Sequence, residues 1–439
     1  MRLRGGRNCA GVPMRSNGFA KLALVASVAL LGLMVVPASV ASAAPGIMVP
    51  CLGSGGGTIG LIAAINTANL SGGGTINLAS GCTYPLTTVN NVGALGSNGL
   101  PRVTSKITVN GNGATIARTA GPSVKFRILE VDGPSGNLTL SALTVTGGMS
   151  PGGGGGLLND EGTLTLNHTQ VTGNTAVNGP GGGIASGIGP DHPGDIGPIG
   201  VLTLNNSAVN GNSAPNTGGG GIINFAGTVV LNSSQVNNNT ALNGGGIASG
   251  NGNGGDVANS SLTLNGSQVD GNTATGGLGG PGAGGIANAG SAVLNSTEVN
   301  NNTAPGGWGG GIVNHGTMTI SKSAVNGNTG PTDSDGNFGL GGGIINVNFD
   351  APGSGILTIN NSQINGNSVP DGFGGGILNG LPFTSPSALT IHHSQVSGNT
   401  AAEGGGIANL GSVTLATTAV TANNPDNCFP TGTIVGCTG

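Results

Sequence analysis

The chain has 439 residues, of which 93 are Gly, 2% aromatic and 6% charged, with a formal net charge of −4. Glycine costs about 1 kcal/mol per residue in a helix relative to Ala, so a mainly helical fold is excluded, and without a three-residue period so is collagen. So few charges leave little material for a charged site, and the acidic balance argues against nucleic acid or anionic lipid as a partner.

Residues 1–43 read as a secretory signal peptide. Arg2, Arg4, Arg7, Arg15 and Lys21 form a basic start, Leu22 to Val36 is an apolar run, and Ala41-Ser42-Ala43 suits cleavage. The run is short for a membrane span. No second apolar stretch follows, so the mature chain is expected to be secreted or extracellular, free or associated with the cell surface, with no transmembrane segment. Beyond residue 43, six bases face all fifteen acids, a net charge of −9.

Four cysteines remain after this segment: Cys51, Cys82, Cys428 and Cys437. An even set in an exported chain suggests two disulfides. The expected pairs are Cys51–Cys82 and Cys428–Cys437, each within one end of the chain, where a stack of repeats would fray. No His lies near any of the four, which argues against a metal site. No metal or cofactor is expected.

Thr58 to Leu70 carries apolar residues at Ile59, Ile62, Ala63 and Ile65, with Leu61 nearby, a helical spacing. A short helix here would cap the open first rung. Residues 75–146 hold irregular strands: TINL, KITV, ATIA, FRILEV and LTLSALTVTGG.

From about Gly152 to Asn423 one unit recurs: a Gly run, one large aliphatic residue, an alternating Leu-Thr-Leu segment, then Ser/Thr-x-Val-x-Gly-Asn. The aliphatic falls at Leu157, Ile184, Ile222, Ile247, Ile286, Ile312, Ile344, Ile377 and Ile407. The steps between them run from 25 to 39 residues, with extra length confined to two points: after the first strand or after the closing Asn. Fixed insertion points are what a solenoid predicts. Three strands per turn suit an all-β, right-handed parallel β-helix with a short N-terminal capping helix. About eleven rungs at ~4.8 Å make a rod of about 50 Å. The expected organisation is a signal peptide (1–43), a cap with the first irregular rungs (44–128), the repeat array (129–423), and a tail with the second Cys pair (424–439).

Within each rung, alternation sends the two Leu of LTL inward and the Thr outward. Val171, Val209, Val236, Val269, Val299, Val325, Ile364, Val396 and Val420 supply a third wall. The closing Asn174, Asn212, Asn239, Asn272, Asn302, Asn328, Asn367, Asn399 and Asn423 are expected to form a structural ladder, each amide bonding to the next rung. The neighbouring Gly173 and Gly211 are expected to take positive φ.

The paired motifs GGGI and Val-x-x-Asn, as in Val171 to Asn174, resemble the GGA-[ILV] and FxxN repeats of the chlamydial polymorphic outer-membrane proteins, with Val in place of Phe. The segment GLIAAINTANLSGGGTINL, followed by GLPRVTSKITVNGNGATI, resembles the capping region of secreted bacterial β-helix repeat proteins. The resemblance spans roughly residues 51–423 and implies the fold. It implies activity only weakly, because solenoids host lyases, hydrolases, adhesins and stalks alike. No translocator barrel follows the array, so free secretion is expected rather than autotransporter anchoring.

Candidate chemistry is sparse. Lyases and hydrolases of this fold need clustered carboxylates, or carboxylates with Lys or Arg, on one face. Lys322 is the only base beyond Glu130. The acids fall mainly in inserts: Asp191, Asp195, Asp256, Asp350, Asp333, Asp335 and Asp371. Asp191-His192-x-x-Asp195 is the densest of these and reads as a surface loop. Asp333-Ser334-Asp335-Gly336-Asn337 resembles a calcium loop, but its Gly comes one position early and no Glu closes it. His168 and His393 read as corner residues, and Trp308 alone is too little for a sugar-stacking platform.

The outward side of the LTL strand stands apart. Thr165, Thr203, Thr263, Thr319, Thr358, Thr390 and Thr414 form one column. Thr163, Thr228, Ser261, Ser291, Thr317 and Ser412 flank it on one side, and Asn167, Asn205, Asn232, Asn265, Asn295 and Asn360 on the other. The Thr column is a possible ligand face for an extended extracellular polysaccharide or cell-surface glycan. Threonine also simply suits an exposed strand. Val201, Val230, Val293, Ile356 and Ala388 interrupt the lattice and count against ice. The expected function is a secreted, non-catalytic surface, adhesive or glycan-binding protein; the alternative is a polysaccharide lyase or glycoside hydrolase.

Overall fold

The computed structural model describes residues 46–93, 96–187, 200–250, 260–276, 282–332, 339–349, 355–382 and 384–438. The leader with Cys9, and Asp191, His192, Asp195, Asp256, Asp333, Asp335, Asn337 and Asp350, lie outside them.

These residues form a parallel β-solenoid of about eleven turns, with one short helix near the N-terminus. One turn runs through Ile222–Asn224, Thr228–Asn232, Gln235–Asn237 and Thr240–Asn243 before a glycine run returns the chain to Ile247. Ile222 pairs with Ile247, and Ile247 with Ile286. The first wall is an 11-stranded parallel sheet built on this aliphatic column, which Cys428 closes at the C-terminal end. The LTL and Val walls belong to one 23-stranded sheet. They merge because the early strands Lys106–Arg118 and Asn137–Thr146 run through the corner with a register shift between Asn110 and Ala114.

Each turn has a fourth segment that the three-strand reading omits. Thr-Ala pairs directly after the ladder Asn form short parallel bridges, as in Thr240–Thr273 and Ala241–Ala274. Ala176, Ala214, Ala241, Ala274 and Ala304 are buried there. The position is mostly Ala, with the larger Val369 buried at it in one turn, and two-residue segments of small residues carry no visible alternation.

Glycine follows from the same closeness. A Cβ on Gly183 would stand 2.7 Å from the Gly221 carbonyl, and one on Gly246 would stand 2.7 Å from that of Gly285. Successive glycine runs hydrogen-bond to each other turn by turn, for example Gly246 N to Gly284 O at 3.0 Å. Any side chain would hold the turns apart.

The inner corner is an unbroken amide ladder. Asn239 Nδ2 donates to Asn272 Oδ1 at 3.0 Å and to the Val209 carbonyl at 2.9 Å, while its backbone N–H donates to the same Asn272 Oδ1 at 2.9 Å. The pattern repeats from Asn174 to Asn423, where Asn427 accepts the last amide at 3.1 Å. Asparagine alone supplies both two donors and a double acceptor at this size. The residue before each ladder Asn lies in the left-handed region, as at Gly173 (φ 62°) and Asn238 (φ 55°), so it is mostly Gly or Asn.

The helix α1 (Gly57–Leu70) caps the first turn on a face turned somewhat from the one the spacing suggests. Leu61 and Ile65 are buried with Ala64 and Ala68, and Ile62 packs against the core, whereas Ile59 is 81% exposed and Ala63 is exposed. Gly60 lets the helix sit against the Gly55 backbone and Val49, which fixes its rotation. Beneath it the buried Tyr84 hydroxyl donates to the Val49 carbonyl at 2.7 Å and accepts from Ala79 N–H at 3.1 Å. The disulfides are Cys51–Cys82 and Cys428–Cys437.

Removing one inner rung of the ladder leaves buried donors and acceptors unpaired. Asn272→Ala should therefore cost about 2–4 kcal/mol and lower the thermal midpoint. Asn265→Ala, in a half-exposed position one wall away, should cost under about 0.5 kcal/mol. Melting curves of the two variants check this, and equal losses would contradict it.

Candidate functional site: an uncharged outward face

Alternation along each LTL strand buries the two aliphatics and turns the intervening residue outward, and strand pairing sets these residues in file. The central column runs Thr75, Thr108, Thr139, Thr165, Thr203, Val230, Thr263, Val293, Thr319, Thr358, Thr390, Thr414 in direct register. The flanking column holds Thr163, Thr228, Ser261, Ser291, Thr317 and Ser412, with Val201 and Ile356 exposed among them at 38% and 37%. From the Asn137 rung to the Ser412 rung no acidic or basic side chain lies in these columns.

The Thr and Asn columns differ in what they leave available. The outer asparagines are tied to one another: Asn205 to Asn167 at 2.9 Å, Asn232 to Asn205 at 2.9 Å, Asn265 to Asn232 at 3.0 Å and Asn295 to Asn265 at 3.1 Å. The hydroxyls of Thr165, Thr203, Thr263, Thr319, Thr358 and Thr390 are half-exposed and make no hydrogen bond among the described residues. The face therefore offers a row of free hydroxyls, one per turn except at the two valines, stiffened by an amide ladder alongside.

Ionisable groups converge elsewhere, where motif reading did not place them. The carboxylates of Glu130, Asp132 and Asp160 lie within 4.8 Å of one another. Strand pairing causes this, because Asp160 stacks directly on Asp132, two residues from Glu130 on the same outward side. Glu130 is buried and bonds Arg127 at 3.0 Å and Asn98 at 2.7 Å, and Asp132 pairs with Arg102 at 2.7 Å. Burial lowers the Arg127 pKa, while Glu130 and Asp160 both favour its cation. The hairpin Asn91–Gly93 and Gly96–Asn98 lies over the group, with Gly93 packed against the Glu130 carboxylate. Two arginines already supply the counter-charge, and Arg127 and Glu130 are sealed from solvent. This arrangement clamps the hairpin to the first turns rather than opening onto a substrate.

At the far corner of the LTL wall, Lys322 stands in the left-handed region (φ 52°), as do His168 (φ 50°) and His393 (φ 48°) at the same corner of other turns. Lys322, Glu298, Asn361 and Gln363 border a depression of about 230 Å³. The two histidines are exposed corner residues set apart by the rungs between them, and they make no common site. Asp371 is exposed on the strand Ser368–Phe373.

Trp308 is not isolated, contrary to the sequence reading. Its ring lies 5.6 Å from Phe349 and 6.3 Å from His315, and His315 stacks on Phe349 at 4.8 Å with 21° between planes. Phe349 reaches this corner from the next turn, which no one-dimensional motif displays. Burial pushes the His315 pKa down to about 4, and its Nε2 has no hydrogen-bond partner among the described residues.

The chain matches no protein-family model, no curated protein and no solved structure. Function therefore has to be read from these surfaces. Among the described residues no helix is long and apolar enough to cross a membrane.

Two outcomes follow. Glu130→Gln removes one of the two carboxylates that favour the buried Arg127 cation, which should cost about 1.5–3 kcal/mol, visible as a lowered thermal midpoint; an unchanged midpoint would show that the clamp contributes nothing. For His315, the folded pKa of about 4 lies below the ordinary 6.5, so the fold favours the neutral ring. Its contribution is complete above pH 6.5 and is lost as pH falls through 4. His315→Gln should accordingly flatten the fall in melting temperature across that window, and parallel wild-type and variant profiles would contradict this.

Proposed function

We propose that this protein is a secreted, non-catalytic solenoid that binds an extracellular glycan along the outward face of its LTL wall. The observation that carries the reading is the threonine column: unengaged hydroxyls, uncharged surroundings and strict turn-to-turn register. An extended polysaccharide presents hydroxyls along its length and needs matching donors and acceptors without the desolvation cost of burying charge. A net charge of −9 over residues 44–439 turns the preference toward neutral rather than anionic glycans.

The basic start and apolar run of residues 1–43 support export, as do the two disulfides. The resemblance to the chlamydial polymorphic outer-membrane protein repeats supports a surface or adhesive role, carried by GGGI and Val-x-x-Asn in most units and by close variants in the others. A lyase or hydrolase reading draws on Glu130, Asp132 and Asp160. Their arginine pairing and burial weigh against it, because a general acid or nucleophile must reach the sugar.

The test is binding of the purified export product to a panel of neutral and anionic polysaccharides. Thr263→Lys combined with Thr319→Lys should reduce binding by about tenfold or more, since each lysine blocks the column and introduces a charge. Gln235→Lys, exposed on the adjoining Val wall, should leave binding unchanged. No binding to any glycan, or equal binding by all three proteins, would overturn the assignment, as would release of reducing ends or unsaturated sugars from pectin, alginate or chondroitin.

A further inference from the structure

The chain holds one Trp, one Tyr and eight Phe. Its Tyr is buried beneath the cap. It is therefore informative that Trp308, Phe349 and His315 meet at a single corner. His315 follows the first-wall strand Ile312–Asn314 and, through Gly316, leads directly into Thr317–Ser321. The cluster thus stands where the first wall turns into the hydroxyl face. Phe349 is stacked on His315 on one side and remains 44% exposed, and Trp308 beside it is half-exposed. A floor of buried Ala283, Val313 and Ile345 lies against Trp308, so the platform is backed by packed apolar side chains.

We infer that Trp308 and Phe349, braced by His315, form a stacking subsite for one pyranose ring of a neutral β-1,4-linked glycan whose neighbouring residues lie on the threonine face. The inference rests on the glycan-binding reading above and adds to it the chemical class of the ligand and its anchor point. A pyranose with equatorial substituents has a flat C–H surface on each side of the ring and hydroxyls around its edge. The flat surface prefers an aromatic face, and the edge requires hydrogen-bond partners. Those two requirements meet here, with His315 of the platform and Thr319 of the column four positions apart. A β-1,4-linked chain of such rings is extended and carries hydroxyls along both edges, so it can cross from the corner onto the hydroxyl face with one ring stacked and the next ones hydrogen-bonded. With its pKa near 4, His315 adds no charge to the platform at neutral pH.

Trp308 is the only Trp in the chain, so its fluorescence reports on the subsite directly. Titration of the full-length protein with cellohexaose and with chitohexaose should change its emission saturably for at least one of them. Phe349→Leu keeps an apolar side chain but removes the flat face, and should weaken that binding about tenfold with the melting temperature retained. Phe349→Tyr should keep wild-type affinity, so a loss in the Leu variant cannot be ascribed to misfolding. Saturable binding with unchanged Trp308 emission and wild-type affinity in Phe349→Leu would overturn the subsite while leaving the threonine face as the binding surface. Binding of other glycans but of neither hexasaccharide would overturn the ligand class alone. Failure of every polysaccharide in the panel to bind would remove the broader reading as well.

Discussion

The structure depends on how closely each turn can lie on the one before. At the spacing of parallel strands, about 4.8 Å, the corner between the Val wall and the next glycine run has room for one backbone and one small polar side chain. The buried Asn ladder occupies that room and satisfies every polar group it brings in, through paired contacts of about 3 Å from Asn174 to Asn427. The glycine runs face the same amides, and a Cβ on Gly246 would stand 2.9 Å from the Asn272 amide nitrogen. Asparagine and glycine are thus two halves of one constraint, and the high Gly content follows from it. With the corner fixed, the aliphatic columns of three walls fall into file, and a core forms almost without aromatic residues.

That same regularity makes the exterior repetitive. A face on which one residue type recurs at every turn presents a lattice of identical groups, which suits a ligand that is itself a repeat. The interruptions at Val230 and Val293 break hydrogen bonding locally but not the register, since both pair in line with the threonines on either side. The buried ion pair lies instead at the N-terminal end, where Arg127 and Glu130 are consumed in fastening a hairpin. Two tasks are therefore separated: a buried ionic cluster closes the first turns, and neutral groups line the threonine column, with Glu298 and Lys322 off it at the far corner.

Much of the architecture was legible in the sequence, because a solenoid writes its contacts at fixed intervals. The column of Ile222, Ile247 and Ile286, the Leu pairs and the outward Thr all follow from strand alternation and the repeat, which require no knowledge of distant contacts. The features that escaped depend on long-range geometry. The Thr-Ala segments are too short and small to show a period. The rotation of α1 is set by Gly60 against Gly55 and Val49, which outweighs the apolar spacing that points to Ile59. Asp132 and Asp160 are separated in sequence but adjacent by pairing, and the offset could be found only by extending the register back before the regular units. Phe349 reaches Trp308 and His315 from the following turn, so the platform belongs to no single unit.

The central claim is that consecutive units stack one strand spacing apart in strict register. Pulsed dipolar distances between spin labels on the exposed Gln170 column measure this directly, because Gln170, Gln235, Gln268, Gln363 and Gln395 occupy the same position in turns separated by known numbers of steps. With Gln170→Cys as the fixed site, the separation should rise by about 4.8 Å per turn, to about 34 Å at Gln395→Cys. Distances that do not grow in proportion to the number of intervening turns would contradict the account.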